Sequence, residues 1–448
     1  MSNVFLINLP VQLNLQKHVV TDAGYNPSLG LIYIGTWLEM NGYNPTIIDL
    51  CYDKMSRGQL INLIDEKNPL LVGISTYTEN LDLAISTAKA IKQSRPNVKI
   101  VFGGSHPTLV PAEAICSEYV DFVSRKEGES TLLELAEAIV SGESALRYDD
   151  IPGLVFKRDG EVINNKLRGP IGDLDLLPLP KRELVGMERY ERIVNISTSR
   201  GCPGNCIYCA ATALSGASYR IRGVENVFLE IILIKKLLGD KLLKIYIVDD
   251  TFTAIPERVI EFTSLIKQYH LEVPWHCESR IDIMTEEMLD LMASTGCIAI
   301  QYGMESGSQT VLDKIKKGID LEHARKIIDY TFKKKITLCL SFMLGHFCDT
   351  KETMEETCRF IREVFMKYKA EVAVSYNTPF PGTWQYTHLK DTGMRLVTDK
   401  YRKFSLNTPV VETDNFTVND QRKYYMEVMK YIGYTTGLER WREVLENG

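Results

Sequence analysis

Twice along this chain, short apolar runs of strand length alternate with longer patterns of helical period, and that switching leaves few options besides βα units stacked around parallel sheets. In the first block Val4–Leu9, Thr46–Leu50, Leu70–Ser75 and Val98–Phe102 read as strands, with Leu31–Met40, Leu81–Ser94 and Thr131–Val140 as helices. In the second, Ile193–Ser197, Ile245–Val248, Trp275–Ser279, Ala299–Gly303, Ile336–Leu344 and Val372–Tyr376 read as strands. Val227–Leu238, Pro256–Tyr269, Glu286–Ser294, Leu321–Lys334 and Thr353–Tyr368 supply helices between most of them. Between the blocks Pro152, Pro170, Pro178 and Pro180 break the pattern, and Leu154–Asn164, centred on Asp159-Gly160, reads as a β-hairpin.

These patterns define an α/β protein in four parts. Residues 1–145 form a doubly wound, flavodoxin-like (Rossmann-like) domain, and 146–190 a connector that holds the hairpin. Residues 191–383 form a partial (β/α)6 TIM-like barrel, and 384–448 a small polar and aromatic cap with helices near Val418–Tyr434 and Leu438–Leu445. Both folds bind ligands at the carboxyl ends of their strands. There the first domain carries Gly103-Gly104-Ser105-His106-Pro107 and Glu127-Gly128-Glu129-Ser130. Neither loop is a GxGxxG fingerprint or a P-loop, so dinucleotide and NTPase readings lose their usual support.

Of 448 residues 45% are hydrophobic and 25% charged, which excludes disorder as the main state. Lys and Arg number 52 against 58 Asp and Glu, a net charge of −6 with no basic run, so a nucleic-acid partner is not expected. No apolar run approaches the roughly 18–20 residues that span a bilayer. The start MSNVFLINLP lacks the basic n-region and cleavage site of a signal peptide, so the expectation is a cytoplasmic protein with no membrane association.

Seven of the ten cysteines (Cys51, Cys116, Cys277, Cys297, Cys339, Cys348, Cys358) are scattered, but Cys202, Cys206 and Cys209 fall within eight residues directly after the first barrel strand. Their loop, Ser199-Arg200-Gly201-Cys202-Pro203-Gly204-Asn205-Cys206-Ile207-Tyr208-Cys209, holds the glycines and proline that let thiolates curl onto one soft metal centre. A structural zinc site would want a fourth ligand from a matching Cys or His pair, and none is appended. Buried structural cysteines would explain neither the spacing nor the flanking glycines.

CxxxCxxC with an aromatic residue, Tyr208, before the last cysteine resembles the radical S-adenosylmethionine (SAM) superfamily, and its place after the first barrel strand matches. The first domain is similar to the cobalamin-binding domain that precedes the barrel in one large class of these enzymes. The matching stretches are Leu71-Val72-Gly73-Ile74-Ser75, Gly103 to Thr108 and Glu127-Gly128-Glu129, together with the hairpin and Leu177-Pro178-Leu179-Pro180. Only the tail after Thr383 is unmatched.

The resemblance implies three cofactors, a [4Fe-4S] cluster, SAM and cobalamin, with Cys202, Cys206 and Cys209 as the cluster's metal ligands. It implies SAM contacts near Tyr208 and at later strand ends, where Asp249, Asp250, Glu278, Arg280 and Glu305 stand. Each of these also has a plain reading as a salt bridge or helix cap. Cobalamin contacts are expected from Ser75, Thr76, Tyr77, Gly103, Gly104, Ser105, Pro107, Glu127, Gly128 and Glu129. The chain departs from those cobalamin domains that carry an Asp-x-His-x-x-Gly loop: it reads Asp49-Leu50-Cys51-Tyr52-Asp53-Lys54, with no His to ligate cobalt from below. Tyr77 is a candidate for that lower face, or plain core.

The function implied is a C-methyltransferase acting on an unactivated carbon of a small-molecule or peptide-derived intermediate, reduced by a donor such as a flavodoxin or ferredoxin. A radical cyclase or rearrangement enzyme with the same cofactors and no net methyl transfer stays open. A tRNA methylthiotransferase would bring three more cluster cysteines, whereas only Cys51 and Cys116 precede the motif. A non-catalytic sensor would have no use for Glu278-Ser279-Arg280 and Gly303 to Ser308. No catalytic acid or base is assigned. His346 and Cys348, where the family often has a Gly-x-Pro-Gly-Glu-Thr-like turn, read either as an acid, base or hydrogen donor or as a tolerated loop substitution.

Overall fold

A computed structural model describes residues 1–11, 26–143, 147–190, 193–216 and 218–436. The expected helix Leu438–Leu445, and the part boundaries drawn at 145/146 and 190/191, touch residues outside these.

The first sheet is built from β1 (Asn3–Asn8), β2 (Asn44–Asp49), β3 (Leu71–Ser75), β4 (Lys99–Gly103) and β5 (Phe122–Ser124), parallel in the order β2-β1-β3-β4-β5 of a flavodoxin-like fold. The hairpin, β6 (Leu154–Arg158) and β7 (Glu161–Asn164), does not stand apart as a connector: β6 pairs antiparallel with β5 and extends the sheet to seven strands. The apolar side chains Leu154, Val155 and Phe156 are buried and give it that place. Besides several helices of four to six residues, the eleven-residue helix Arg57–Lys67 has no counterpart in the sequence reading; it starts with a capping box between Ser56 and Gln59.

The second sheet contains β8 (Ile193–Ile196), β11 (Lys244–Ile247), β12 (Trp275–Ser279), β13 (Cys297–Glu305), β14 (Thr337–Leu344) and β15 (Glu371–Tyr376); the two-residue β9 (Ser199–Arg200) and β10 (Arg220–Ile221) form a ribbon at its mouth. The six strands are parallel and neighbour one another in chain order from β8 to β15 without closing, as a partial barrel requires. Its two edges are covered from outside. The Asn195 carbonyl of β8 accepts from Arg182, and the Tyr376 amide of β15 donates to Leu406. Along β11 to β15 one face is apolar, fully buried and packed on the helices, with Trp275 against Phe262 and Phe342 against Phe360. On the opposite face Tyr246, Glu278, Gln301, Gly303, Glu305, Ser341, Ala373 and Ser375 are half-buried. Strand alternation thus lines the barrel interior with polar and small side chains.

A continuous apolar core runs from Val4, Leu6 and Leu31 through Tyr190 to Val194 and Val224, so the domains share one interior. At their junction Glu230 is buried between Arg182 of the connector and Arg222, each 2.5 Å away, and Arg222 also donates to the Tyr33 hydroxyl. Among the described residues no helix is long and apolar enough to cross a membrane.

Candidate active site

The cysteine loop leaves β9 at Gly201, whose positive φ of 91° opens the turn. Each sulfur is met by an N–H: Cys202 by the Gly204 amide at 3.4 Å, Cys209 by the Ala211 amide at 3.4 Å, and Cys206 by Arg280 Nη1 at 3.4 Å. Arg280 comes this close because residue 204 is glycine; a Cβ there would lie 2.7 Å from Nη1. Burial pushes the Cys202 thiol up and the Cys209 thiol up to about 11, and Cys206 adds to both shifts, so Cys206 lies within electrostatic reach of each.

Around them stand the barrel-mouth charges. Arg280 also bonds Asp282 and the Lys317 carbonyl, and Lys317 pairs with Glu305 at 2.8 Å. Burial works to raise the Glu305 carboxyl, but Lys317 outweighs it and, with His346 and the Tyr208 hydroxyl, holds it below its ordinary value. Glu305 itself has a positive φ of 66°. Burial and Asp249 raise Asp250; burial raises Glu278, where the Tyr246 hydroxyl bond works against Asp250 and Asp249. Tyr246 stacks on His276, centroids 4.1 Å apart. Asp249 points the other way. It accepts from the Thr198 amide at 2.6 Å, from the Ser199 amide at 3.0 Å and from the Thr198 hydroxyl, so it braces the entry to the cysteine loop.

At the edge of the first sheet, Gly104 takes φ 107° and a Cβ there would lie 2.8 Å from the Thr76 carbonyl, so the two loops touch through bare backbone. The Thr76 amide donates to the Gly103 carbonyl at 2.7 Å. Tyr77 follows. Its side chain is 43% exposed, and desolvation raises its phenol while Ser75 works against that rise. His106 is buried, bonds Thr78 through Nδ1 at 3.1 Å, and is held neutral by burial, its pKa lowered to about 4. Gly128 packs against Ile34. Glu127 and Glu129 are taken up by the barrel: Arg220 pairs with Glu127 at 2.7 Å, and Arg200 with Glu129 at 2.6 Å and Glu127 at 3.2 Å.

The two sites face each other. Lys126 reaches the Ala213 and Leu214 carbonyls, on the helix that Cys209 caps. On another side Gly382, where any Cβ would strike Leu109, brings the loop after β15 against the segment that follows Gly104.

The "B12 binding domain" family model matches residues 17–136, and that of the "Radical SAM superfamily" matches residues 196–361. An uncharacterised methyltransferase of Pyrococcus horikoshii is 31% identical over 92% of this chain and 88% of its own length. The anaerobic magnesium-protoporphyrin IX monomethyl ester cyclase of Rubrivivax gelatinosus is 26% identical over 88% of this chain and 71% of its own. Among solved structures, the radical SAM methyltransferase TsrM from Kitasatospora setae, with cobalamin and a [4Fe-4S] cluster bound, superposes with a TM-score of 0.76 at 17% identity, over 96% of this chain and 89% of that one; that likeness speaks for the fold. The chain belongs to the cobalamin-binding radical SAM enzymes.

The cofactors of that family are a [4Fe-4S] cluster, SAM and cobalamin, and the residues present fit them. Among the described residues no three His, Cys, Asp or Glu close on a single ion. A cubane spreads its ligands wider, and three N–H-bonded sulfurs on one short loop suit that spread. Thiols raised by burial also fit, since a bound cation deprotonates a coordinating thiol outright. The half-exposed phenol of Tyr77 and the bare-backbone contact at Gly104 fit a large flat ring better than a charged small ligand. A radical SAM reading of the sequence alone does not pick out Lys317 or Arg220, which look like any other basic residues. Tyr246 and His276 had a signal in the strand alternation that points them into the barrel.

Proposed function

We propose that the chain is a cobalamin-dependent radical SAM C-methyltransferase acting on an unactivated carbon of a small-molecule or peptide-derived intermediate. The observation that carries this reading is the apposition just described, with the three-thiol loop and the Gly104 edge meeting across one interface. With its cofactors bound, the cluster and SAM supply a carbon-centred radical and cobalamin supplies the methyl group. Cys202, Cys206 and Cys209 would hold the cluster, with Arg280 donating to the Cys206 sulfur. Asp250 and Glu278, two carboxyls that burial raises, would meet the positive end of SAM, with Tyr208 and Glu305 contributing from the same barrel mouth. Ser75, Thr76, Tyr77, Gly103, Gly104, Ser105, Pro107 and Gly128 would shape the cobalamin face, with Tyr77 on its wall and no histidine at Cys51 to ligate cobalt. Asp249, Glu127 and Glu129 would act from behind, by holding the loops in place.

The setting we infer is cytoplasmic, with a low-potential donor such as a flavodoxin or ferredoxin. The test is a count of SAM fates in anaerobically reconstituted protein with cobalamin and a candidate substrate. Methyl transfer yields S-adenosylhomocysteine and 5′-deoxyadenosine together. 5′-Deoxyadenosine with product but no S-adenosylhomocysteine overturns it in favour of a cyclase or rearrangement, and neither product returns the chain to a sensor.

A further inference from the structure

Three polar side chains are fully buried where the barrel meets the cap, and each keeps an unpartnered atom. His346, in the loop after β14, is 0% exposed, and neither Nδ1 nor Nε2 has a hydrogen-bond partner. Gln421, on the cap helix Val418–Thr436, is 0% exposed; its Nε2 donates to the Val411 carbonyl at 2.7 Å and its Oε1 has no partner. Gln385 is 0% exposed, its Nε2 lies 3.2 Å from Met394 Sδ, and its Oε1 has no partner. All three belong to one neighbourhood. The Gln421 amide sits over Gly345, directly before His346, and Met394 and Val411 pack with Phe347, directly after it.

A buried polar atom without a partner costs free energy that an apolar residue would avoid, so such a cluster points to a ligand that completes it. The loop is not free to relax. Asp349 accepts from the Gly345 and His346 amides, and Asn377 donates to the Gly345 carbonyl. The His346 ring stands edge-on to Tyr208, centroids 5.3 Å apart, so the group sits beside the cysteine loop.

We propose that this junction recognises the substrate through a neutral group that carries both a hydrogen-bond donor and an acceptor, an amide or a hydroxyl, held by His346 and Gln421 with Gln385 nearby. Two amide oxygens accept; the imidazole donates through one nitrogen and accepts through the other. Burial holds that imidazole neutral, its pKa lowered to about 4. The charges that act on it, Glu305 and Lys317, are paired with each other, so a carboxylate or an ammonium group finds no counter-charge there. The inference deepens the methyltransferase reading and rests on it for the identity of the bound molecule as substrate. It makes Gln421, on the cap helix, a specificity-determining residue.

The experiment is ligand-observed NMR on the full chain reconstituted with cluster, cobalamin and SAM. The probes are N-methylacetamide, 1-propanol, acetate and methylammonium, against wild type, His346→Leu and Gln421→Leu. The expected result is that the amide or the alcohol binds wild type and both charged probes bind more weakly, with affinity for the neutral probe falling about tenfold in each variant. His346→Leu removes a ring with no partner, so its thermal unfolding should move up; Gln421→Leu also removes the bond to the Val411 carbonyl, so its unfolding should move down. Equal binding of the charged probes, unchanged neutral-probe affinity in the variants, or no binding to wild type overturns the proposal. If a variant unfolds early, the neutral-against-charged comparison on wild type decides alone. Probe binding does not require SAM cleavage, so this inference and the methyltransferase reading fail separately.

Discussion

At the carboxyl edge of the first sheet, Gly104 meets Thr76 through backbone, Tyr77 is half-exposed, and the acidic pair Glu127 and Glu129 is neutralised by Arg220 and Arg200. At the carboxyl edge of the barrel, Asp250 and Glu278 both carry carboxyls raised by burial, and the thiols are held by N–H groups. One edge is furnished with shape and the other with charge. The difference matches the demands of a large ring that must be seated and a cationic cofactor that must be oriented for chemistry. It also teaches that acidic residues at two sheet edges can look alike in sequence and do opposite things, depending on whether the facing domain brings arginines.

The largest effect that would sharpen the contrast is at the charged edge. Cys206→Ala should abolish cluster absorbance and 5′-deoxyadenosine formation, a loss larger than the about 10- to 100-fold typical of outer partners around a metal site. Retained absorbance would remove the cluster from that edge. Next comes the joint between the two regions: Glu230→Gln leaves Arg182 and Arg222 buried without their shared partner and should cost about 3–5 kcal/mol in denaturant unfolding. A cost under about 1 kcal/mol would mean the joint is wet in solution.

Acid should separate the regions through their histidines. In the unfolded chain an imidazole takes its proton near 6.5, whereas folded His106 waits until about 4 and His276 until about 3. Between those values the unfolded chain binds more protons, so stability is complete above about pH 6.5 and falls as pH drops, by about 1.4 kcal/mol per pH unit for each such group. His106→Phe should flatten that slope; an unchanged slope from pH 6 to 4 would show that His106 does not contribute.

At the shaped edge, Gly104→Ala forces an alanine into φ 107° against Thr76 and should cost about 1–3 kcal/mol, with weaker cobalamin retention in gel filtration. The smallest effect is expected for Glu129→Gln, about 1 kcal/mol, because Arg200 keeps Glu127. If that variant instead lost cobalamin while staying folded, Glu129 would touch the ring and the contrast between the edges would weaken.

Most strand positions were legible: strands of the first sheet buried on both faces show as apolar runs, as in Val4–Leu9 and Val98–Phe102, while the three-residue β5 (Phe122–Ser124) was too short to show. The cysteine loop was legible from spacing alone. Arg57–Lys67 was not, since only Leu60 and Ile64 of its side chains are buried and its apolar stripe is thin. The hairpin's membership in the first sheet was hidden because turn chemistry fixes a hairpin's own register, not the strand it joins. Asp249 and Asp250 both follow the end of β11 at Ile247, where strand alternation no longer sets direction, so which of the two faced the cysteines needed the structure. Nothing local marks Lys317 or Gln421, whose roles come from residues far along the chain.

The open seam of the barrel has a consequence for anyone who wishes to dissect the protein. Its first strand is capped by the connector's Arg182 and its last by Leu406 of the cap. A fragment cut to residues 196–361 would begin at the last residue of β8 and omit β15 entirely, exposing the polar lumen and two raw strand edges. Such a piece is a template for edge-to-edge aggregation, so the catalytic module is not portable: it exists as a barrel only in the company of its neighbours.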